Sequence, residues 1–174
     1  MRDFVAVAPL MRSDLVLVVH SSVPAKNLAE FIALAKAKPG TLNFASSGQG
    51  SNYHMAAELF KKLTGTDIVH VPYKGSTGAR NDILGGQVQM MFDSVPTMAP
   101  MIQAGLVRAL GTTGKQRSAI LPDVPTLAEG GVIGYEASLW TGLVAPAGTP
   151  RAIVDLLNRE IRQVLARPEI QDAW

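Results

Sequence analysis

Apolar residues along this chain recur in two alternating rhythms. Leu15-Val-Leu-Val-Val19 is a short continuous apolar run and reads as a strand, whereas between Asn27 and Ala37 the apolar set Leu28, Phe31, Ile32 and Ala35 repeats at the spacing of one helical face. Asn27 and Glu30 stand as N-cap and N3 of that helix, and Lys38-Pro39-Gly40 closes it. A strand follows at Thr41 to Ala45. Ser51 then caps a helix that carries Met55, Leu59, Phe60 and Leu63 on one face and ends at Gly65. Ile68 to Val71, Val88 to Phe92 and Val107 to Gly111 read as strands, with short helices at Ala79 to Leu84 and Thr97 to Ala104 between them. Five short strands separated by helices predict an α/β fold with a doubly wound, mostly parallel sheet.

Past Gly111 the rhythm changes. Residues 112–125 are a polar connection, and 130–150 are rich in Gly and Pro with one apolar run, Leu139 to Val144, so a domain boundary is expected near residue 111. Thr149 as N-cap and Pro150 at N1 open a helix whose inner face holds Ile153, Leu156, Leu157, Ile161, Val164 and Leu165. It stops at Arg167-Pro168. Pro168 to Trp174 reads as a further helix, with Ile170 and Trp174 one turn apart, interrupted where the sequence ends.

Composition narrows the chemistry. Of 174 residues, 47% are hydrophobic and only 17% charged, against about 25% in an average domain, so the chain has material for a core and is not a disordered segment. It has no cysteine, which excludes disulfides, thiolate catalysis and Cys-based metal sites. The net charge of +2 is scattered and predicts no nucleic-acid partner. The opening residues Met1-Arg2-Asp3 lack the apolar stretch of an export signal.

The segment Asn43-Phe-Ala-Ser-Ser-Gly-Gln-Gly-Ser-Asn52 runs from a strand through a Ser/Gly loop into a helix, which favours an anion. Gly48 and Gly50 admit close backbone approach, Ser46, Ser47 and Ser51 offer hydroxyls, and the helix start adds its positive dipole end. A tight, well-capped turn is the alternative. The spacing matches neither a Walker loop nor a full dinucleotide fingerprint. If the strands are parallel, two more strand ends reach the same edge: Tyr73, Lys74, Gly75 and Ser76 supply a ring hydroxyl, a cation and a second amide nest, and Asp93 and Ser94 could orient water or an amino group. Lys74 also fits a solvated charge, and Asp93 a turn former. His20, His54 and His70 show no metal-ligand spacing, and no metal or cofactor is expected. A serine hydrolase pairing Ser46 or Ser47 with His54 is a further reading, though no Gly-x-Ser-x-Gly elbow is present. Met90, Met91, Met98 and Met101 follow core spacing, and Trp140 is expected in a core or between domains.

Val18-Val-His-Ser-Ser-Val-Pro24, Leu42-Asn-Phe-Ala-Ser-Ser-Gly-Gln-Gly-Ser51, Val69-His-Val-Pro-Tyr-Lys-Gly-Ser76, Asp82-Ile-Leu-Gly-Gly-Gln-Val88, Leu121-Pro-Asp-Val-Pro-Thr-Leu-Ala-Glu129 and Gly142-Leu-Val-Ala-Pro-Ala-Gly148 together resemble the Bug-type periplasmic substrate-binding receptors of tripartite tricarboxylate transporters. The resemblance covers essentially the whole chain. It implies a type 2-like periplasmic binding protein that closes on a dicarboxylate, tricarboxylate or acidic amino acid and delivers it to a membrane permease. It further implies that residues 1–111 are an intact domain 2 and residues 112–174 the returning half of an incomplete domain 1. The loops around Ser46 to Asn52, Tyr73 to Ser76 and Asp93-Ser94 would then face the ligand. A second reading is a receptor fragment with little ligand affinity that self-associates through the orphaned segment.

Overall fold

The computed structural model describes residues 3–173, which fall into two compact units, 13–139 and 3–12 with 140–173. In chain order the elements are β1 (Phe4–His20), α1 (Leu28–Ala37), β2 (Asn43–Ser46), α2 (Asn52–Thr64), β3 (Val69–Pro72), α3 (Ser76–Leu84), β4 (Met90–Ser94), α4 (Val95–Gln103), β5 (Val107–Thr112), β6 (Ser138–Pro146), α5 (Arg151–Leu165) and α6 (Pro168–Ala173). Trp174 of the expected last helix lies outside the described residues.

The sheet of the larger unit has the order β3-β2-β4-β1-β5. β2 is parallel to β3 and to β4, and β1 is antiparallel to both β4 and β5. The expected mostly parallel sheet is present, with β1 as the strand that opposes the rest. β1 is also longer than the run Leu15 to Val19, beginning at Phe4, and contributes residues to both units. Its segment Val16 to Val19 is completely buried because both faces of the sheet are covered, the condition under which a strand reads as unbroken apolar residues. Leu15, Leu17 and Val19 point to one side, into a core with Phe31 of α1, Phe60 of α2, Phe44 and Phe92. Val16 and Val18 point to the other, against Ala79 and Ile83 of α3 and Met98 and Ala99 of α4. The two-residue period of β1 thus feeds two layers of helices. Met90, Met91 and Met98 are core residues as expected, with Met101 packed beside them.

The expected boundary near residue 111 lies inside the larger unit. Beyond β5 the chain folds back along that strand, with Thr112 N–H donating to Pro125 O at 2.9 Å and Leu127 N–H to Thr112 O at 2.8 Å. Leu127, Val132 and Tyr135 are buried in the first core, and the Tyr135 hydroxyl donates to Ala56 O at 2.8 Å. Burial of these residues holds the segment on the larger unit as far as Leu139.

In the smaller unit, β6 pairs with β1, and Val7, Ala8 and Val154 form a small core. The structure corrects three expectations here. α5 begins after Pro150, one residue later than expected, and its expected inner face is not buried: Ile153, Leu156, Leu157 and Val164 are exposed and Ile161 and Leu165 half-buried, while Val154, outside that face, is the buried residue. Trp140 is 61% exposed and is not a core residue.

Leu127→Ala is expected to lower unfolding stability by about 2–5 kcal/mol, the usual cost of a buried leucine, in urea titrations. A loss under about 1 kcal/mol, within the range of surface substitutions, would contradict the packing of residues 112–139 on the larger unit.

Candidate functional site

The parallel register brings three strand ends to one edge of the larger unit. Ser46 at the end of β2 stands opposite Pro72 at the end of β3, and Ala45 pairs with Met91, so β4 reaches Asp93 and Ser94 at the same level. The loops that follow are tied together, because Tyr73 N–H donates to Ser46 O and Gly75 N–H to Ser47 O, each at 3.1 Å. Gly48 at φ +133° and Gly75 at φ +108° adopt backbone that side-chain-bearing residues rarely enter. A Cβ on Gly48 would stand 3.2 Å from Tyr73 O, so the first loop closes over the second only with glycine there.

α2 starts as its sequence directs. Ser51 is extended, its hydroxyl accepts from His54 N–H at 3.3 Å, and Gly65 closes the helix in the left-handed conformation. The buried face differs from the expected one. Met55 is 57% exposed and Leu63 also faces out, while His54, Ala56, Ala57, Phe60 and Thr64 face in. Ala56 and Ala57 let the helix approach the sheet closely, which turns the longer apolar side chains at 55 and 63 away.

All the candidate residues gather on this edge, and their bonding divides them. Ser46 is fully buried, and its hydroxyl meets His70 Nε2 at 2.6 Å and accepts from Gly48 N–H at 3.1 Å. Gly50 N–H donates to His54 Nδ1 at 3.0 Å and Ser51 N–H to Gly48 O at 3.2 Å. The amides of Gly48 and Ser51 are therefore spent within the loop and that of Gly50 on α2. Helix geometry leaves the first amides of α2 without acceptors; since Ser51 caps the third, those of Asn52 and Tyr53 remain. Asn52, Lys74 and Gly75 are exposed, Ser47 and Ser76 half-buried. The reading that pairs Ser46 or Ser47 with His54 is corrected by the same contacts, because Ser46 meets His70 while His54 is occupied by Gly50.

Asp93 is completely buried and ion-paired. Arg80, one turn into α3, donates through Nε and Nη2 to its two oxygens, and Ser94 N–H donates to Oδ1 at 2.7 Å. Ser94 Oγ bonds Thr97 Oγ1 at 2.7 Å. Asp93 raises the pKa of Arg80 chiefly by accepting this hydrogen bond. Tyr53 stands against the same pair, and burial, then the charge of Asp93, pushes its phenol up to about 12. Tyr73 donates to the Asp82 carboxylate; loss of hydration and that bond push its phenol up to about 12 as well. Arg80, Tyr53 and Asp82 were not among the residues singled out from sequence, and His70 was weighed only as a metal ligand. The available signal was at Asp93, since a carboxylate at the end of an apolar strand requires a cation partner without saying which.

Removing one partner of this pair leaves an uncompensated charge. Arg80→Met is expected to cost about 3–5 kcal/mol, and Arg80→Met with Asp93→Asn to recover most of it, in a double-mutant cycle read by chemical denaturation. Additive losses would show that the two side chains are not coupled.

Over residues 1–173 the sequence matches the family described as tripartite tricarboxylate transporter family receptor. It is 41% identical over 173 residues to the UPF0065 protein in the tcbD-tcbE intergenic region of Pseudomonas sp. (strain P51), which covers 99% of this chain and 52% of that protein. Among solved structures, R. palustris Rpa4515 with adipate is 38% identical with a TM-score of 0.90, covering 97% of this chain and 56% of that one. MatC (Rpa3494) from Rhodopseudomonas palustris with bound malate is 33% identical with a TM-score of 0.91, covering 97% and 57%. The chain spans about half the length of the curated relatives it matches. Motifs, fold and strand-end loops agree with this match: the chain belongs to the tripartite tricarboxylate transporter receptor family.

Proposed function

We propose that this chain contributes the anion-facing wall of a periplasmic receptor that captures a small dicarboxylate and delivers it to a membrane permease. The observation that carries the reading is the edge where three strand ends meet, with the free first amides of α2 beside the hydroxyls of Ser47 and Ser76 and the ammonium of Lys74. Such an edge suits a carboxylate, because amides and the helix dipole favour negative charge without needing a counter-ion on the protein. Asn52 and Gly75 complete the ligand-facing group. Ser46, Gly48, Gly50, Ser51, Asp93 and Ser94 hold those groups in place, and Tyr73 braces the second loop through Asp82. Asp93 is consumed by Arg80, which leaves this wall without a carboxylate for a ligand's ammonium and favours plain dicarboxylates over amino acids. The adipate and malate in the two structural neighbours support the same class.

Exposed Trp140, Leu143, Leu156 and Leu157 favour a second reading, a receptor fragment that self-associates with little ligand affinity. Thermal shift with adipate, malate and glutamate separates the two. A ligand at about 100 times its Kd adds about 2.7 kcal/mol to stability; adipate or malate is expected to raise Tm, glutamate less, and Lys74→Ala to reduce the effect. No shift at millimolar dicarboxylate, with a sedimentation coefficient that rises with protein concentration, would favour the second reading.

A further inference from the structure

Beneath the first loop lies a stack of three rings. His54 of α2 and His70 of β3 lie ring on ring at 4.0 Å, and Phe44 of β2 covers the other face of the stack at 4.7 Å from His70. The loop is anchored to both imidazoles, through Gly50 N–H on His54 Nδ1 and Ser46 Oγ on His70 Nε2. A ring nitrogen that accepts from an amide carries no proton, so the Gly50 bond exists only with His54 neutral and its proton on Nε2. Protonation of Nδ1 would aim one donor at another. It would also set a positive charge against His70, whose own pKa is held below the ordinary range by burial and by His54.

The charged groups facing the pair are Glu58 and Lys61, both on α2. Glu58 Oε1 is 3.9 Å from His54 Nε2 and would favour an imidazolium, but Lys61 Nζ takes the same oxygen at 2.7 Å and also stands 5.4 Å over the Phe44 ring. Lys61 therefore offsets part of the carboxylate's pull, and at His70 burial and His54 both outweigh it.

We propose that His54 is a positioning residue for the anion-facing loop: unprotonated, it latches Gly50 and thereby the first amides of α2; protonated, it releases them. His70 backs the latch by stacking on it and holding Ser46. The consequence for affinity rests on the carboxylate reading; the latch itself does not. Carboxylate affinity then falls on acidification through titration of the protein, separately from any protonation of the ligand.

The test follows the Gly50 amide and the His54 Cε1–H by NMR in the full chain from pH 8 to pH 5, with adipate titrations near each end. The Gly50 amide is expected to move with the midpoint of His54. In His54→Asn, whose side-chain oxygen can stand in for Nδ1 without titrating, it is expected to stay fixed. Adipate affinity is expected to fall roughly tenfold more in the wild type than in His54→Asn, consistent with one charge-sensitive hydrogen bond. A Gly50 amide that ignores His54, or a His54 that does not titrate in this range, overturns the latch, and the wild-type spectra decide this even if the variant fails to fold. Absence of adipate binding at every pH, with Gly50 still following His54, would overturn the carboxylate reading and leave the latch standing.

Discussion

Three loops distant in sequence meet on one edge because β2, β3 and β4 are locked in parallel register. Ser46 faces Pro72, and Ala45 faces Met91; a slip by one residue would turn the buried Phe44 and Ala45 to the opposite faces and carry the loops out of line. Register is therefore the constraint on which the candidate site depends. It is enforced by burial on both faces of the sheet, where Phe44 belongs to one core and its neighbour Ala45 to the other.

On this edge the structure separates groups that hold from groups that are held out. Ser46, Gly48, Gly50 and Asp93 satisfy one another or nearby side chains, so the loops are shaped before any ligand arrives and little ordering cost remains at binding. The polar groups that project from that frame include two helix amides, two serine hydroxyls, Gln49, Asn52 and one lysine. On the proposed reading, such a surface would recognise negative charge while placing few demands on the remainder of the molecule that carries it. A shared fold could thus serve relatives that hold different dicarboxylates.

The parts legible in the sequence were those set by local rules. Asn27 and Ser51 cap their helices, Gly65 closes α2, and the strand-end rule places the three loops. What escaped depended on partners brought by tertiary packing. The stripe on α5 shows which face is apolar, but periodicity carries no information on whether anything covers that face. The length of β1 was hidden because Pro9 and the polar Arg12-Ser13-Asp14 interrupt its apolar run. His70 and Ser46, or Arg80 and Asp93, lie on different elements, and no spacing along the chain announces that they meet. The boundary expected near residue 111 falls inside the larger unit for a related reason, since a loop-rich segment can pack as firmly as a helix once Leu127 and Tyr135 are buried.

The position of β1 also governs the order in which the molecule can be built. Leu17 lies between Phe92 and Gly111, so this buried apolar run is synthesised well before either neighbour exists. Until β4 and β5 emerge, Val16 to Val19 is an unpaired, uncharged, β-prone stretch of the kind that joins other chains. Contacts so distant in sequence also make for slow folding. The same strand that ties the finished sheet together is thus left without its two neighbours through most of the larger unit's synthesis.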